Sequence, residues 1–465
     1  MDDLTLLFQR AAELAAQHRS GLAEAPVRAA VDAATLRQRV DTAIRDAPTP
    51  AGAVLEELVS AFTPGLVATP GPRFFGFVIG GALPAASAAD VVAVGWDQCA
   101  FNAVLSPAAA VAEEVAGGWL KELVGLPADA SVGFVTGAQG ANTVSLATAR
   151  HHVLAAAGWD VERDGLPGAP VVRVVASVER HATIDRALRL LGFGTSAVEE
   201  VAADRNGAID VADLEAVLGR GEPGPTIVCL QAGNVNTGAC DDLRAGTALA
   251  RRHDAWVHVD GAFGLWAGAS PSKAHLVDGV ALADSWSCDG HKWLNVPYDC
   301  GFAICAHPQV HAGSLSYTAS YLTGQGGPTP ALGDLVPESS RRARGFTVWA
   351  ALRELGREGV ADLVDRCCTL AQRFADGLGA GSVEVVNDVV LNQVLVSFGS
   401  DARTDRIIDG VQRDGTCWLG GTTWRGRRLM RVSVSNWSTT EADVDRSVAA
   451  ILRVAAADAE QTPAD

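Results

Sequence analysis

No CxxC pair occurs among the nine cysteines of this 465-residue chain, and their number is odd. Cys367 and Cys368 are adjacent in a helical stretch and cannot face the same way. A disulfide framework is therefore not expected, which fits a reducing compartment. Also missing is an apolar run of about 18 residues, the length a membrane helix needs. The Ala-rich stretch from Ala82 to Val94 is broken by Pro84 and Asp90. The start, Met1-Asp2-Asp3, has neither the basic residues nor the apolar core of a signal peptide. Positive charge is scarce: 37 Lys and Arg stand against 54 Asp and Glu, a net charge of −17. Such a chain repels phosphate backbones, so no nucleic acid is expected as partner. The expectation is a cytoplasmic protein with no membrane association. GxxxxGKS/T, HExxH and GxSxG are absent, so the motif-level case for triphosphate, zinc-protease and serine-hydrolase chemistry fails, and no metal is expected.

What is present is enough apolar sequence, 48% of residues, for a large core and two or three domains at roughly 150 residues each. Residues 1–70 read as a helical segment. A Gly/Pro break follows at Thr69-Pro70-Gly71-Pro72, then the aromatic and glycine-rich segment from Phe74 to Gly81. From about residue 108 short apolar runs alternate with helical patterns. Strands are predicted at 131–135, 171–176, 226–231, 256–260, 285–288 and 301–305. Strands separated by helices predict an α/β fold, with a mostly parallel sheet covered on both faces. Residues 306–340 are loop-rich. Helices are predicted at 341–355 and 360–378, and the remainder alternates strands and helices as a smaller α+β domain. The predicted division is 1–70, 71–345 and 346–465.

Two residues carry the chemistry. Asp260 closes the apolar run Trp256-Val257-His258-Val259, and Lys292 follows the run that ends at Cys288. In an open parallel sheet, ligands sit at the carboxyl ends of the strands, so both residues are expected at the same edge. A lysine nucleophile beside a buried carboxylate suits pyridoxal phosphate (PLP): the lysine binds the aldehyde, and the acid keeps the ring nitrogen protonated. Each residue alone has an ordinary reading, a turn former or a solvated lysine. Thr136-Gly137-Ala138-Gln139-Gly140 passes from strand to helix through small residues, which suits an anion at a helix N-terminus; it also suits a tight turn. His181 follows another strand and has the chemistry to stack on an aromatic ring or move a proton; it also suits a helix cap. Ala262 offers a small side chain two residues past Asp260.

Together these segments resemble the group II PLP-dependent amino-acid decarboxylases, which belong to fold type I, the aspartate aminotransferase fold. The resemblance runs from Pro72-Arg73-Phe74-Phe75 to Asn436-Trp437-Ser438-Thr439-Thr440. It is most specific at His258-Val259-Asp260-Gly261-Ala262-Phe263-Gly264, Asp289-Gly290-His291-Lys292-Trp293-Leu294 and Arg341-Arg342-Ala343-Arg344-Gly345.

The resemblance implies roles. Lys292 is the cofactor-bonding lysine, Asp260 the partner of the ring nitrogen, and His181 the histidine over the ring. Gly137, Ala138 and Gln139, with His291, hold the phosphate. Asn236 and Thr237 approach from the side, and Ala262 packs on the ring. Tyr321 is the mobile-loop tyrosine that protonates the α-carbon, Arg431 a substrate-carboxylate arginine, and Phe77 part of the substrate pocket. Gly290 stands where relatives often have proline, which implies a less rigid lysine turn. The implied protein is a homodimer, with residues 1–70 as dimer arm, that converts an L-amino acid to its amine and CO2. Oxidative deamination to an aldehyde, C–C cleavage, transamination and a silent scaffold subunit are the alternatives. Tyr321 favours simple decarboxylation, and Lys292, Asp260 and His181 oppose a silent subunit.

Overall fold

The computed structural model describes residues 4–40, 43–220, 223–317 and 331–461. They divide into two compact units. One comprises Ala82–Ala371 with Asn387–Gln393; the other comprises Met1–Gly81, Gln372–Val386 and Val394–Asp465. The N-terminal helices thus belong to the same unit as the C-terminal residues.

The first unit is built on seven strands: β1 (Ser131–Val135), β2 (Arg173–Ser177), β3 (Val198–Val201), β4 (Thr226–Gln231), β5 (Trp256–Asp260), β6 (Ser285–Asp289) and β7 (Gly301–Cys305). Their order is β1-β7-β6-β5-β4-β2-β3. Only β7 runs against the rest, so the sheet is mostly parallel, as expected. Every residue of β4, β5, β6 and β7 is buried. Continuous burial marks strands covered on both faces rather than half-solvated ones. Val257 and Val259 are wholly buried, each worth about 1.5–3 kcal/mol. The helix Ala138–Ala156 packs across β1, β7, β6, β5 and β4. Polar His258, Ser285 and Ser287 sit within this core, and each needs a hydrogen-bond partner there.

The second unit holds the helices Leu4–Gly21, Ala33–Arg39 and Ala51–Phe62, and the helices Asp401–Asp414 and Glu441–Gln461. Its sheet comprises β8 (Glu384–Val385), β9 (Gln393–Ser397), β10 (Gly420–Trp424) and β11 (Arg427–Ser433), in the order β10-β11-β9-β8. Phe74 stacks on Trp418 at 4.8 Å, and the Phe75 N–H donates to the Trp418 carbonyl at 2.7 Å. The aromatic segment is thus an anchor at Phe74 and Phe75, while Phe77 is 61% exposed.

The two helices predicted at 341–355 and 360–378 fall within Gly345–Ala380, where non-helical Gly356 separates one helix from the next. Gly356 adopts φ 61°, a left-handed conformation that breaks the helical ladder and that glycine tolerates best. Among the described residues no helix is long and apolar enough to cross a membrane.

Candidate active site

A cavity of about 300 Å³ opens at the carboxyl edge of the parallel strands, within the first unit. Its walls include Asp260, Lys292, His181, His291, Ala262 and the turn Gly137-Ala138-Gln139. The register explains the convergence: Asp260 ends β5 opposite Ser287 of β6, and the chain leaves β6 at Asp289 to reach Lys292 three residues on. Acid and amine therefore share one edge and one cavity.

The acid is fixed on several sides. Asp260 Oδ2 accepts from Asn142 Nδ2 at 3.0 Å; Oδ1 accepts from the Ala262 N–H at 3.2 Å and from Ser287 Oγ at 3.3 Å. Beneath it, His258 Nε2 meets Asn142 Oδ1 at 2.9 Å, and Nδ1 meets Ser285 Oγ at 3.0 Å. Burial pushes the His258 imidazole down to about 4, against the pull of the Asp260 carboxylate.

The lysine is held by Asp289, which the motif reading passed over. Asp289 Oδ2 lies 2.8 Å from Lys292 Nζ. Its Oδ1 accepts from the Ala138 N–H at 2.6 Å. The helix Ala138–Ala156 has glycine at its N-cap and no side-chain cap of its own. Asp289 is the cap, supplied from across the sheet. The cue in the sequence was an acid three residues before the lysine.

The turn itself is glycine by necessity. A Cβ on Gly137 would stand 2.8 Å from His291 Cε1, and one on Gly301 would stand 2.5 Å from the Gly137 Cα. Gly290 is pinned rather than loose: its N–H and that of His291 both donate to the Cys300 carbonyl, at 3.0 and 3.2 Å. Proline at 290 would forfeit the first of these bonds. His291 Nδ1 accepts from the Cys300 N–H at 3.1 Å, and the ring lies 4.4 Å from that of Tyr298. Burial lowers the His291 pKa, opposed by Asp289.

His181 caps the helix Ala182–Leu190: its Nδ1 meets Thr183 Oγ1 at 2.8 Å and accepts from the Thr183 N–H at 3.3 Å. The same residue both caps the helix and lines the cavity. The side loop reaches the cavity through Gly233 and Val235 rather than through Asn236 and Thr237. Thr237 is buried, with its hydroxyl on the Asn206 carbonyl at 2.6 Å. The loop is organised by Asn234, whose Oδ1 accepts the N–H groups of Asn236 and Thr237. Gly233, at φ 93°, packs on Gly264, where a Cβ would stand 2.3 Å from the Ala232 carbonyl oxygen. Phe77 and Arg431 belong to the second unit. Tyr321 lies outside the described residues.

An amine nucleophile, a buried acid, a flat imidazole and a helix N-terminus behind small residues form the donor set that PLP needs, in a cavity with room for its ring. Residues 34–399 match the pyridoxal-dependent decarboxylase conserved domain. Tryptophan decarboxylase 1 of Oryza sativa subsp. japonica is 28% identical, over 94% of this chain and 90% of its own length. Aromatic-L-amino-acid decarboxylase of Bacillus atrophaeus is 27% identical, over 95% and 93%. A crystal structure of Oryza sativa TDC with PLP and tryptamine superposes with a TM-score of 0.91 at 25% identity, covering 98% of each chain. The chain belongs to the pyridoxal-dependent decarboxylase family. It is a PLP-dependent amino-acid decarboxylase, a carboxy-lyase of the fold type I architecture.

Proposed function

We propose that this enzyme takes an aromatic L-amino acid and releases the corresponding amine and CO2. The observation that carries the reading is the shared cavity of Lys292 and Asp260. The activities of the Oryza sativa and Bacillus atrophaeus relatives support the aromatic substrate. PLP, when bound, supplies the electron sink for the pair left by the departing carboxylate.

The chain's own residues do the rest. Lys292 tethers the cofactor, its amine held by Asp289 at 2.8 Å until then. Asp260 favours a positive charge on the ring nitrogen by proximity of opposite charge. His181 and Ala262 bound the ring. Gly137, Ala138, Gln139 and His291 hold the phosphate at the positive end of the helix. Tyr321 delivers the proton to the α-carbon; this role rests on its place in the sequence, as do those of Asn236, Thr237, Phe77 and Arg431 in cofactor and substrate contact.

The working form is a cytoplasmic homodimer. The helices Leu4–Gly21 and Ala51–Phe62 bury none of their residues, and helices of that length are marginal alone in water. In the first unit, Val92, Trp96, Val111 and Trp349 are all exposed around one apolar hollow, the kind of patch that marks an interface. All nine cysteines are free, in keeping with a reducing compartment.

The test is a screen of amino acids that follows CO2 and amine together. Equal yields from an aromatic acid are expected, with none from Lys292→Ala. Asp260→Ala should keep PLP yet lose roughly 10²–10³-fold in kcat. Aldehyde and ammonia in place of amine would refute simple decarboxylation; full turnover by Asp260→Ala would refute the role of the acid.

A further inference from the structure

A chain of buried hydrogen bonds runs beneath the cavity with a single permitted direction. At one end the Trp256 indole N–H donates to Ser285 Oγ at 3.0 Å. An indole nitrogen only donates, and a carboxylate only accepts. At the other end Asn142 Nδ2 donates to Asp260 Oδ2 at 3.0 Å. The amide is oriented by this contact, because turning it over would set its carbonyl oxygen against the carboxylate. Asn142 Oδ1 must then accept, so His258 carries its hydrogen on Nε2. Nδ1 of His258, when neutral, accepts from the Ser285 hydroxyl. Trp256, Ser285, His258, Asn142 and Asp260 are all buried, and bonds aligned in such surroundings polarise one another.

Asn142 is also a branch point. The same amide nitrogen donates to Thr183 Oγ1 at 3.0 Å. The Thr183 hydroxyl lies 2.8 Å from His181 Nδ1, which also accepts the Thr183 N–H. One asparagine thus spends its carbonyl on the chain from Trp256 and its two N–H groups on Asp260 and on the route to His181. Asn142 lies four residues after Ala138 and so on the same face of their helix. The helix that offers its N-terminus to a phosphate also aligns the acid one turn further on.

We propose that Asn142 is the positioning residue of this site, locking Asp260 as a hydrogen-bond acceptor toward the ring nitrogen and, through Thr183, orienting His181 over the ring. The inference rests on the PLP reading above. It explains why the position takes asparagine: leucine has the size without the donors, and aspartate would place a second negative charge beside Asp260.

The experiment compares wild type with Asn142→Leu, Thr183→Val and Thr183→Ser. PLP affinity, the absorption bands of the lysine-bound cofactor, kcat and KM are measured separately. In Asn142→Leu, PLP affinity and kcat are each expected to fall about tenfold or more. KM should stay within about threefold, as for an interaction made in the transition state, and the absorption bands should redistribute. Thr183→Val should lower kcat by about tenfold with the bands unchanged, and Thr183→Ser should restore it. Wild-type affinity, bands and kcat in Asn142→Leu, with only a lower melting temperature, would overturn the proposal. Should that variant not fold, equal kcat in Thr183→Val and Thr183→Ser overturns it instead. A wild-type chain that takes up no PLP overturns the cofactor reading and this inference with it; wild-type uptake with an indifferent Asn142→Leu overturns the inference alone.

Discussion

Asp289 holds Lys292 by one carboxylate oxygen, at 2.8 Å, and caps the helix at Ala138 with the other, at 2.6 Å. The pair ties the Lys292 amine to the N-terminus of that helix at the wall of the cavity. Asp289→Ala removes a helix cap and strands a lysine that is only 20% exposed. A cap is worth about 0.5–2 kcal/mol and a hydrogen bond to a charged group about 1.5–3 kcal/mol. The PLP-free variant is expected to unfold in urea with about 1–3 kcal/mol less stability. An unchanged midpoint would show that neither contact matters to the fold.

The motif Arg341-Arg342-Ala343-Arg344-Gly345 has its first arginine in a buried ion pair. Arg341 meets Glu113 through two parallel bonds of 2.6 and 2.7 Å, and both side chains are at most 2% exposed. Burial raises the Glu113 pKa, and Arg341 draws it back. Arg342 and Arg344 reach Asp90 and Asp299, so the three arginines pin this segment to its neighbours. Arg341→Ala leaves a carboxylate buried without its partner, and the expected loss is about 3–5 kcal/mol. Arg341→Met combined with Glu113→Leu should recover most of it, because the unpaired charge is gone. Thermal denaturation of the two variants measures this; a double variant no better than the single would contradict the account.

The strands of the large sheet were legible because they are short apolar runs closed by turn residues, and the end of β5 and the residues after β6 pointed to the edge where the cavity opens. β3 was not, since Val198-Glu199-Glu200-Val201 carries two acids and lies at the sheet's edge. β10 opens on Gly420-Gly421, two residues that weaken a strand signal. Motif and strand position put Lys292, Asp260 and His181 at one edge of the sheet, and all three line the cavity there. Asn142 and Ser285 were not legible, because their work depends on which element lies beside which: His258 faces Ser285 only through the β5–β6 register. Thr237 sits in the right loop, yet its hydroxyl satisfies a buried carbonyl of Asn206. The loop's path there is set by Asn234, a contact no spacing reveals.

The buried imidazole of His258 carries a pH signature. Its pKa is pushed down to about 4 in the folded chain, chiefly by burial, against about 6.5 when unfolded. Between those values the unfolded chain binds a proton that the folded chain does not. The stabilising contribution is therefore fully present above about pH 6.5 and is lost as pH falls toward 4. His311 acts in the same sense, its pKa also lowered to about 4. Asp241 acts in the opposite sense, raised to about 7 by burial. Comparing wild type with His258→Leu cancels the other two. The stability of wild type relative to the variant should be level above pH 7 and shrink by roughly 1–3 kcal/mol on the way to pH 4. Urea unfolding at half-unit pH steps reads this directly. A difference that stays constant across the window would mean that His258 takes up its proton at the same pH in the folded and unfolded chains, so that burial does not hold the imidazole neutral.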